Sequence, residues 1–398
     1  MVVVEKETAG EDIGINLSLF GFLFIMGGTM ETARGKTALL VGPTEMMGRT
    51  LLKFMLRDGW KIYALTHPDE KPSIEALRTR LLRGEHPAGA GLELLWGDCT
   101  SAGAGLDGRT LDTIARDIGA IINCPPLYVR GAEGYTQLLE SIIKGTDQII
   151  ALAHRFPNLR LLAHVSSTFV SGNYPGRFYE DWLDVGQSFY DPVNRHHFIA
   201  ETKLRNAARS VPIAVFRCGY LVGEAETGQC DEHAGLTPFF RIMSRYARAL
   251  PRPLPLLAPD SDEKILSLTP NDFAARAILT ILSSEECTGQ TFCLVDPTSP
   301  SIRAFVDTLS DLAGRTCYRM PLDPLHRIPL FEPMVMVEWF GFLAEKLRWS
   351  SFPLRFFFQR GDYDIMNAKQ ALTPLGVACP PFAEYIERLY RYYKTRYA

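Results

Sequence analysis

The chain has no basic surplus: 42 lysines and arginines stand against 45 aspartates and glutamates, a formal net charge of −3. Without clustered positive charge there is no electrostatic footprint for nucleic acid, and that class of partner is excluded. Paired cysteines are missing too. The eight present (Cys99, Cys124, Cys218, Cys230, Cys287, Cys293, Cys317, Cys379) contain no C-x-x-C. That spread speaks against a zinc site or a disulfide framework and fits free thiols in a reducing, cytoplasmic compartment. The eight histidines form no H-x-x-x-H or H-E-x-x-H spacing. His196 and His197 are adjacent, about 100° apart on a helix, where two side chains rarely share a metal. The sequence therefore predicts no metal site. No internal repeat or low-complexity tract is evident.

What is there is an ordinary globular composition, 46% apolar and 22% charged, over 398 residues. That length accommodates one large α/β domain with a smaller appended one. Ile13–Met30 is apolar except for Asn16, Ser18 and Thr29, close to the ~18-residue threshold for a membrane span. Glu5, Glu7, Glu11 and Asp12 precede it, the wrong charge for a signal peptide. Residues 1–34 are accordingly read as a leader or an apolar anchor; membrane contact would run through 13–30, with Arg34 and Lys36 keeping the body cytoplasmic.

From Lys36 the pattern alternates. Thr37–Val41, Lys61–Thr66, Leu92–Asp98, Ala120–Cys124, Leu159–Val165 and Ile213–Arg217 read as strands, with helical spacing over Arg49–Asp58, Tyr135–His154 and Ile199–Ser210. Alternation of this kind predicts an α/β fold with a parallel, doubly wound, Rossmann-like sheet. The expected division is 35–235 with 262–300 as the Rossmann-like domain. Residues 236–261 and 301–398 are expected to form a smaller, mainly helical substrate-binding cap. Its methionine- and aromatic-rich run, Leu330–Leu343 with Trp349, Phe352 and Phe356–Phe358, suits an apolar ligand or an ordinary core.

Five motifs in register carry a resemblance to a known family. Gln187–Glu201, QSFYDPVNRHHFIAE, is similar to the catalytic helix of the extended (atypical) short-chain dehydrogenases/reductases. The branch it resembles, that of thioester and fatty-acyl reductases, has the frame Q-x-F-x-N-x-Y-x-x-S-K-x-x-A-E. Gln187, Phe189, Ala200 and Glu201 match it. His164–Gly172, HVSSTFVSG, resembles the family's V-S-T-x-x-V-x-G strand end, and Gly42–Gly48 stands where G-x-x-G-x-x-G belongs. Ser267–Phe273 and Thr291–Pro297 resemble two later strands of the same family, so the likeness covers about Gly35 to Arg315.

The resemblance implies an NAD(P) site built from Gly42, Thr44, Glu45, Gly48 and Asp98. Glu45 replaces the middle glycine. As a carboxylate at a helix N-terminus it would act as a built-in anion, stabilising the helix and repelling the pyrophosphate, or would swing outward and leave binding intact. Thr66-His67 stands where many NADPH-using relatives carry an arginine, and Pro125-Pro126 where alanines usually follow the fourth strand.

At the catalytic helix Val193 occupies the tyrosine slot, His196 the serine and His197 the lysine. Valine has no proton to give. The candidate catalytic residues are Ser167, matched to the strand-end serine that hydrogen-bonds the reacting carbonyl in relatives, His197 as a general acid or base, and Tyr190 as a substitute phenol. Pro192 places the helix start at or after itself, which disfavours Tyr190.

Three functions follow. One is a redox-inactive member with degenerate motifs, binding an apolar or thioester-linked small molecule for a non-redox step or an accessory role in biosynthesis. Some reductase-like domains of fungal polyketide–peptide synthases offer a family parallel, in a cyclising release without NADPH. The second is an active NAD(P)H-dependent thioester, aldehyde or ketone reductase using Ser167 with His197 or Tyr190. The third is a structural subunit of a larger complex. The oligomeric state is left open.

Overall fold

The computed structural model describes residues 36–84, 86–125, 131–189, 192–232, 234–241, 244, 256–260, 266–284, 287–314, 317–321 and 362–398. The apolar run 13–30, Pro126, Tyr190 and the aromatic-rich stretch 330–358 lie outside the described residues.

Seven short apolar runs build the central sheet: β1 (Thr37–Val41), β2 (Lys61–Thr66), β3 (Gly91–Trp96), β4 (Ala120–Asn123), β5 (Leu161–Ser167), β7 (Ile213–Cys218) and β11 (Thr291–Leu294). They pair in the order β3-β2-β1-β4-β5-β7-β11, every pair parallel. A parallel sheet is covered on both faces, so its inner strands bury nearly every side chain rather than alternate; β4 and β7 are buried throughout. Three two-stranded additions accompany it: β6 (Arg177–Phe178) with β13 (Asp362–Tyr363), β8 (Tyr220–Leu221) with β10 (Leu268–Thr269), and β9 (Leu256–Asp260) with β12 (Cys317–Pro321).

The helices are α1 (Met46–Arg57), α2 (Lys71–Leu81), α3 (Gly108–Ala115), α4 (Gly131–Arg155), α5 (Pro192–Ala207), α6 (Asn271–Leu282), α7 (Ile302–Ala313), α8 (Met366–Leu372) and α9 (Phe382–Arg396). One sheet face buries Leu51 and Met55 of α1 and Ile278 of α6 against Leu40, Ile122 and Phe292. The other buries Ile149 of α4 and Leu204 of α5 against Leu39, Ile121, Leu162 and Val215. Each such side chain contributes roughly 1.5–3 kcal/mol on leaving water. A separate aromatic core joins Phe305 of α7 to Phe382, Tyr385, Tyr390 and Tyr393 of α9. α8 packs on β11 and adds Ala368 and Leu372 to the α1–α6 core. Among the described residues no helix is long and apolar enough to cross a membrane.

Chain order reverses between β1 and β4. In doubly wound sheets the crevice outside the carboxyl ends of the strands at that reversal is where ligands bind.

Candidate functional site at the strand reversal

The turn from β1 into α1 forms one wall of this crevice. Gly42 takes φ +70°, and Glu45 N–H donates to its carbonyl at 3.2 Å, closing the turn. A Cβ on Gly42 would stand 2.1 Å from the Cys124 carbonyl oxygen, and one on Gly48 would stand 2.0 Å from the Gly42 carbonyl oxygen. Both glycines are therefore required by close backbone approach, the geometry a dinucleotide loop uses. Thr44 Oγ1 is buried in the same turn with no hydrogen-bond partner among the described residues, and an orphaned hydroxyl there fits a loop built to meet a ligand.

Glu45 departs from the expectation of a helix-stabilising anion. It is the N-cap residue of α1, with φ −65° and ψ 157°, yet its side chain makes no capping hydrogen bond. Its Cγ instead lies 3.5 Å from where a Cβ on Gly42 would stand. Its charge is felt at the end of β4: burial first, then Cys218 and Glu45, push the Cys124 thiol well up. The side chain thus starts out over Gly42 and makes no capping bond to its own helix. The backbone of the loop fits a pyrophosphate, and a carboxylate stands beside it.

On the far side of β1, Asp98 follows β3. Its carboxylate accepts from Thr100 N–H at 2.8 Å, Thr100 Oγ1 at 2.8 Å and Ser101 Oγ at 3.0 Å. Burial alone would raise this carboxyl, but the hydrogen bonds from Thr100 and Ser101, with His67 nearby, hold it below its ordinary value. His67 caps the turn Pro68–Glu70, its Nδ1 accepting from Asp69 N–H at 3.3 Å.

The third wall is the end of β5 and the start of α5, which pack together. Ser167 is half-buried and accepts from Phe169 N–H at 3.2 Å, capping the short helical turn Thr168–Ser171. That bond uses a lone pair; the hydroxyl proton remains to donate. Helix α5 begins at Pro192, so Val193 lies in its first turn and His197 in its second, the latter buried. His196 places Nδ1 2.6 Å from the Pro192 carbonyl.

Three buried groups around this wall were given no role by the sequence reading. His164 on β5 is fully buried; its Nδ1 lies 3.0 Å from the amide nitrogen of Asn123, its register partner on β4. Burial first, then the neighbouring His197, lowers its pKa to about 3, against a smaller opposing pull from Glu201. Glu201 forms a buried ion pair with Arg217, and Ser166 donates to it at 2.5 Å. Tyr363 of β13 reaches in from the C-terminal segment, with its Oη 2.9 Å from Ser171 Oγ. A polar residue closing an otherwise apolar strand, as Asn123 closes β4, was the available signal for the first. No group of three or more His, Cys, Asp or Glu able to hold a metal occurs among the described residues.

The comparisons with known proteins agree with this geometry. The family model described as male sterility protein, an NAD-binding domain, matches residues 40–278. A linear gramicidin synthase of Brevibacillus parabrevis is 26% identical over 280 residues, 67% of this chain and 5% of that one. Carboxylic acid reductase of Mycobacterium marinum is 25% identical over 307 residues, 69% of this chain and 26% of that one. The chain therefore spans only a small part of these curated relatives. Among solved structures, the terminal R domain from the myxalamid PKS-NRPS biosynthetic pathway superposes with a TM-score of 0.72 at 23% identity, covering 91% of both chains. With the turn, the sheet order and these matches together, the chain belongs to the male sterility protein family, in the thioester-reductase-like branch of the extended short-chain dehydrogenases/reductases.

Proposed function

We propose that this chain is a redox-inactive member of its family, which binds an apolar or thioester-linked acyl substrate and carries out a non-redox step or an accessory role. The observation that supports the proposal is Glu45, a carboxylate in the β1–α1 turn, with Cγ 3.5 Å from where a Cβ on Gly42 would stand and its charge felt at Cys124. A fixed carboxylate there opposes an anionic cofactor by direct repulsion in a partly desolvated cleft. Val193 and His197 support the same reading, since neither a phenol nor a lysine stands at those positions. Ser167 keeps its hydroxyl proton, and His197 lies on the adjoining helix, so a carbonyl could be held and a proton moved without hydride transfer. The acyl substrate class rests on the names of the relatives, a carboxylic acid reductase and fatty acyl-CoA reductases.

An active NAD(P)H-dependent reductase is the second reading, favoured by the intact Gly42–Gly48 cradle and the orphaned Thr44 hydroxyl. Titration of the purified chain with NADPH and NADH, on wild type and Glu45→Gly, separates the two.

A further inference from the structure

The register of the sheet brings two further turns together beside the glycine loop. Val41 of β1 pairs with Leu65 of β2, and Thr66 of β2 with Trp96 of β3. The turns that leave these strands, His67–Glu70 and Gly97–Ser101, therefore stand side by side, in line with Gly42 at the end of β1. Gly97 N–H donates to the Thr66 carbonyl at 3.1 Å. A Cβ on Gly97 would stand 2.2 Å from the Ala104 carbonyl oxygen, so close backbone approach fixes this turn as well.

The charge of the two turns is one-sided. Neither contains a lysine or an arginine, and between them they carry Asp69, Glu70 and Asp98. Against burial, the hydrogen bonds from Thr100 and Ser101 keep Asp98 ionised. Glu70 is buried, and the Cys99 thiol beside Asp98 is pushed up by burial first, then by Asp98 and Glu70. Two basic side chains border the turns, and both are engaged. His67 Nδ1 accepts from Asp69 N–H at 3.3 Å and lies 3.6 Å from the Asp69 carboxylate. Lys71, at the start of α2, lies 4.0 Å from Glu75 and 5.6 Å from the centre of the exposed Trp96 ring.

Asp69 stands about 20 residues beyond Gly48, the spacing at which a dinucleotide-binding unit presents a carboxylate to the ribose 2′-hydroxyl; units that take a 2′-phosphate place an arginine nearby instead. A hydroxyl donates to a carboxylate. A phosphate monoester brings roughly two negative charges and needs guanidinium or ammonium donors. We infer that this end of the crevice selects a free ribose 2′-hydroxyl and rejects a 2′-phosphate, so that a nicotinamide dinucleotide entering it is taken as NAD(H) and not as NADP(H). The residues that determine this specificity are His67, Asp69 and Asp98. The selection belongs to the nucleoside half of the ligand and goes beyond the redox-inactive reading, since it is independent of whether Glu45 keeps the pyrophosphate out.

The test is the ratio of two affinities in the full chain. NADH and NADPH are titrated into wild type, Glu45→Gly, and Glu45→Gly combined with His67→Arg, following nicotinamide fluorescence or calorimetric heat. In whichever of the first two forms binds, NADH should bind on the order of tenfold more tightly than NADPH, the size of one uncompensated like-charge contact. His67→Arg should narrow or reverse that ratio by strengthening NADPH. Equal affinities, or tighter NADPH, overturn the inference. Micromolar NADH binding by wild type refutes the redox-inactive reading and supports the selection if NADPH binds more weakly. Should neither form bind either dinucleotide, adenosine and adenosine 2′-phosphate are compared on wild type by saturation-transfer NMR. Transfer to adenosine alone supports the selection; transfer to the 2′-phosphate, or to neither, overturns it.

Discussion

Glu201 of α5 and Arg217 of β7 face each other with neither side chain exposed to solvent, the Arg217 Nη2 2.7 Å from Glu201 Oε2 and Nε 3.1 Å from both carboxylate oxygens. Burial alone would raise the carboxyl; the Arg217 charge, its hydrogen bonds and that of Ser166 outweigh burial and hold it low. The pair fastens the catalytic-type helix to the sheet. Glu201→Gln leaves a guanidinium buried without its countercharge and should cost about 3–5 kcal/mol. Urea unfolding measures this, and a loss below about 1 kcal/mol would mean water reaches the pair.

His164 gives a pH dependence of definite sign. Its folded pKa, about 3, lies below its ordinary 6.5, so the unfolded chain binds the proton first. Its stabilising contribution is complete above about 6.5 and is lost as pH falls through the window toward 3, by at most about 1.4 kcal/mol per unit. Between pH 7 and pH 5, chemical unfolding should show wild type losing stability relative to His164→Gln. Glu180 acts oppositely between 4.5 and about 7, since its raised carboxyl makes stability fall as pH rises. The comparison is therefore made within one variant background, and equal slopes with and without His164 would refute the assignment.

Gly42→Ala tests the crevice wall. The new Cβ would meet the Cys124 carbonyl at 2.1 Å, at a φ of +70°. Strained backbone of this kind costs on the order of 1–3 kcal/mol, and here β1 and β4 must also part. A lowered unfolding midpoint is expected. An unchanged midpoint would show that the turn relaxes freely.

The fold was largely legible because a buried parallel strand is a continuous apolar run, and such runs at Thr37–Val41, Lys61–Thr66 and Ile213–Cys218 have one natural reading. One boundary lay beyond the apolar run: β5 extends to Ser167, because Ser166 is satisfied by Glu201; the start of α5 at Pro192 is where the proline had set it. Gly42, Gly48 and Asp98 could be placed beyond the ends of β1 and β3 from the apolar runs alone; their role in a site belongs to the proposal. What the sequence could not convey was direction. Nothing in one dimension says that Glu45 leaves α1 uncapped, or that Glu180 gathers donors from residues 293, 367 and 368. Those contacts are made by topology, across long stretches of intervening chain.

The central claim concerns Glu45, and the direct test is nicotinamide binding. NADPH and NADH are titrated into wild type and Glu45→Gly, following nicotinamide fluorescence or calorimetric heat. The account predicts no micromolar binding by wild type and its appearance in Glu45→Gly, as repulsion is removed and the middle glycine restored. Micromolar binding by wild type would contradict it and return the chain to the NAD(P)H-dependent reductases. Absence of binding in both would show that the crevice is closed by something other than this carboxylate.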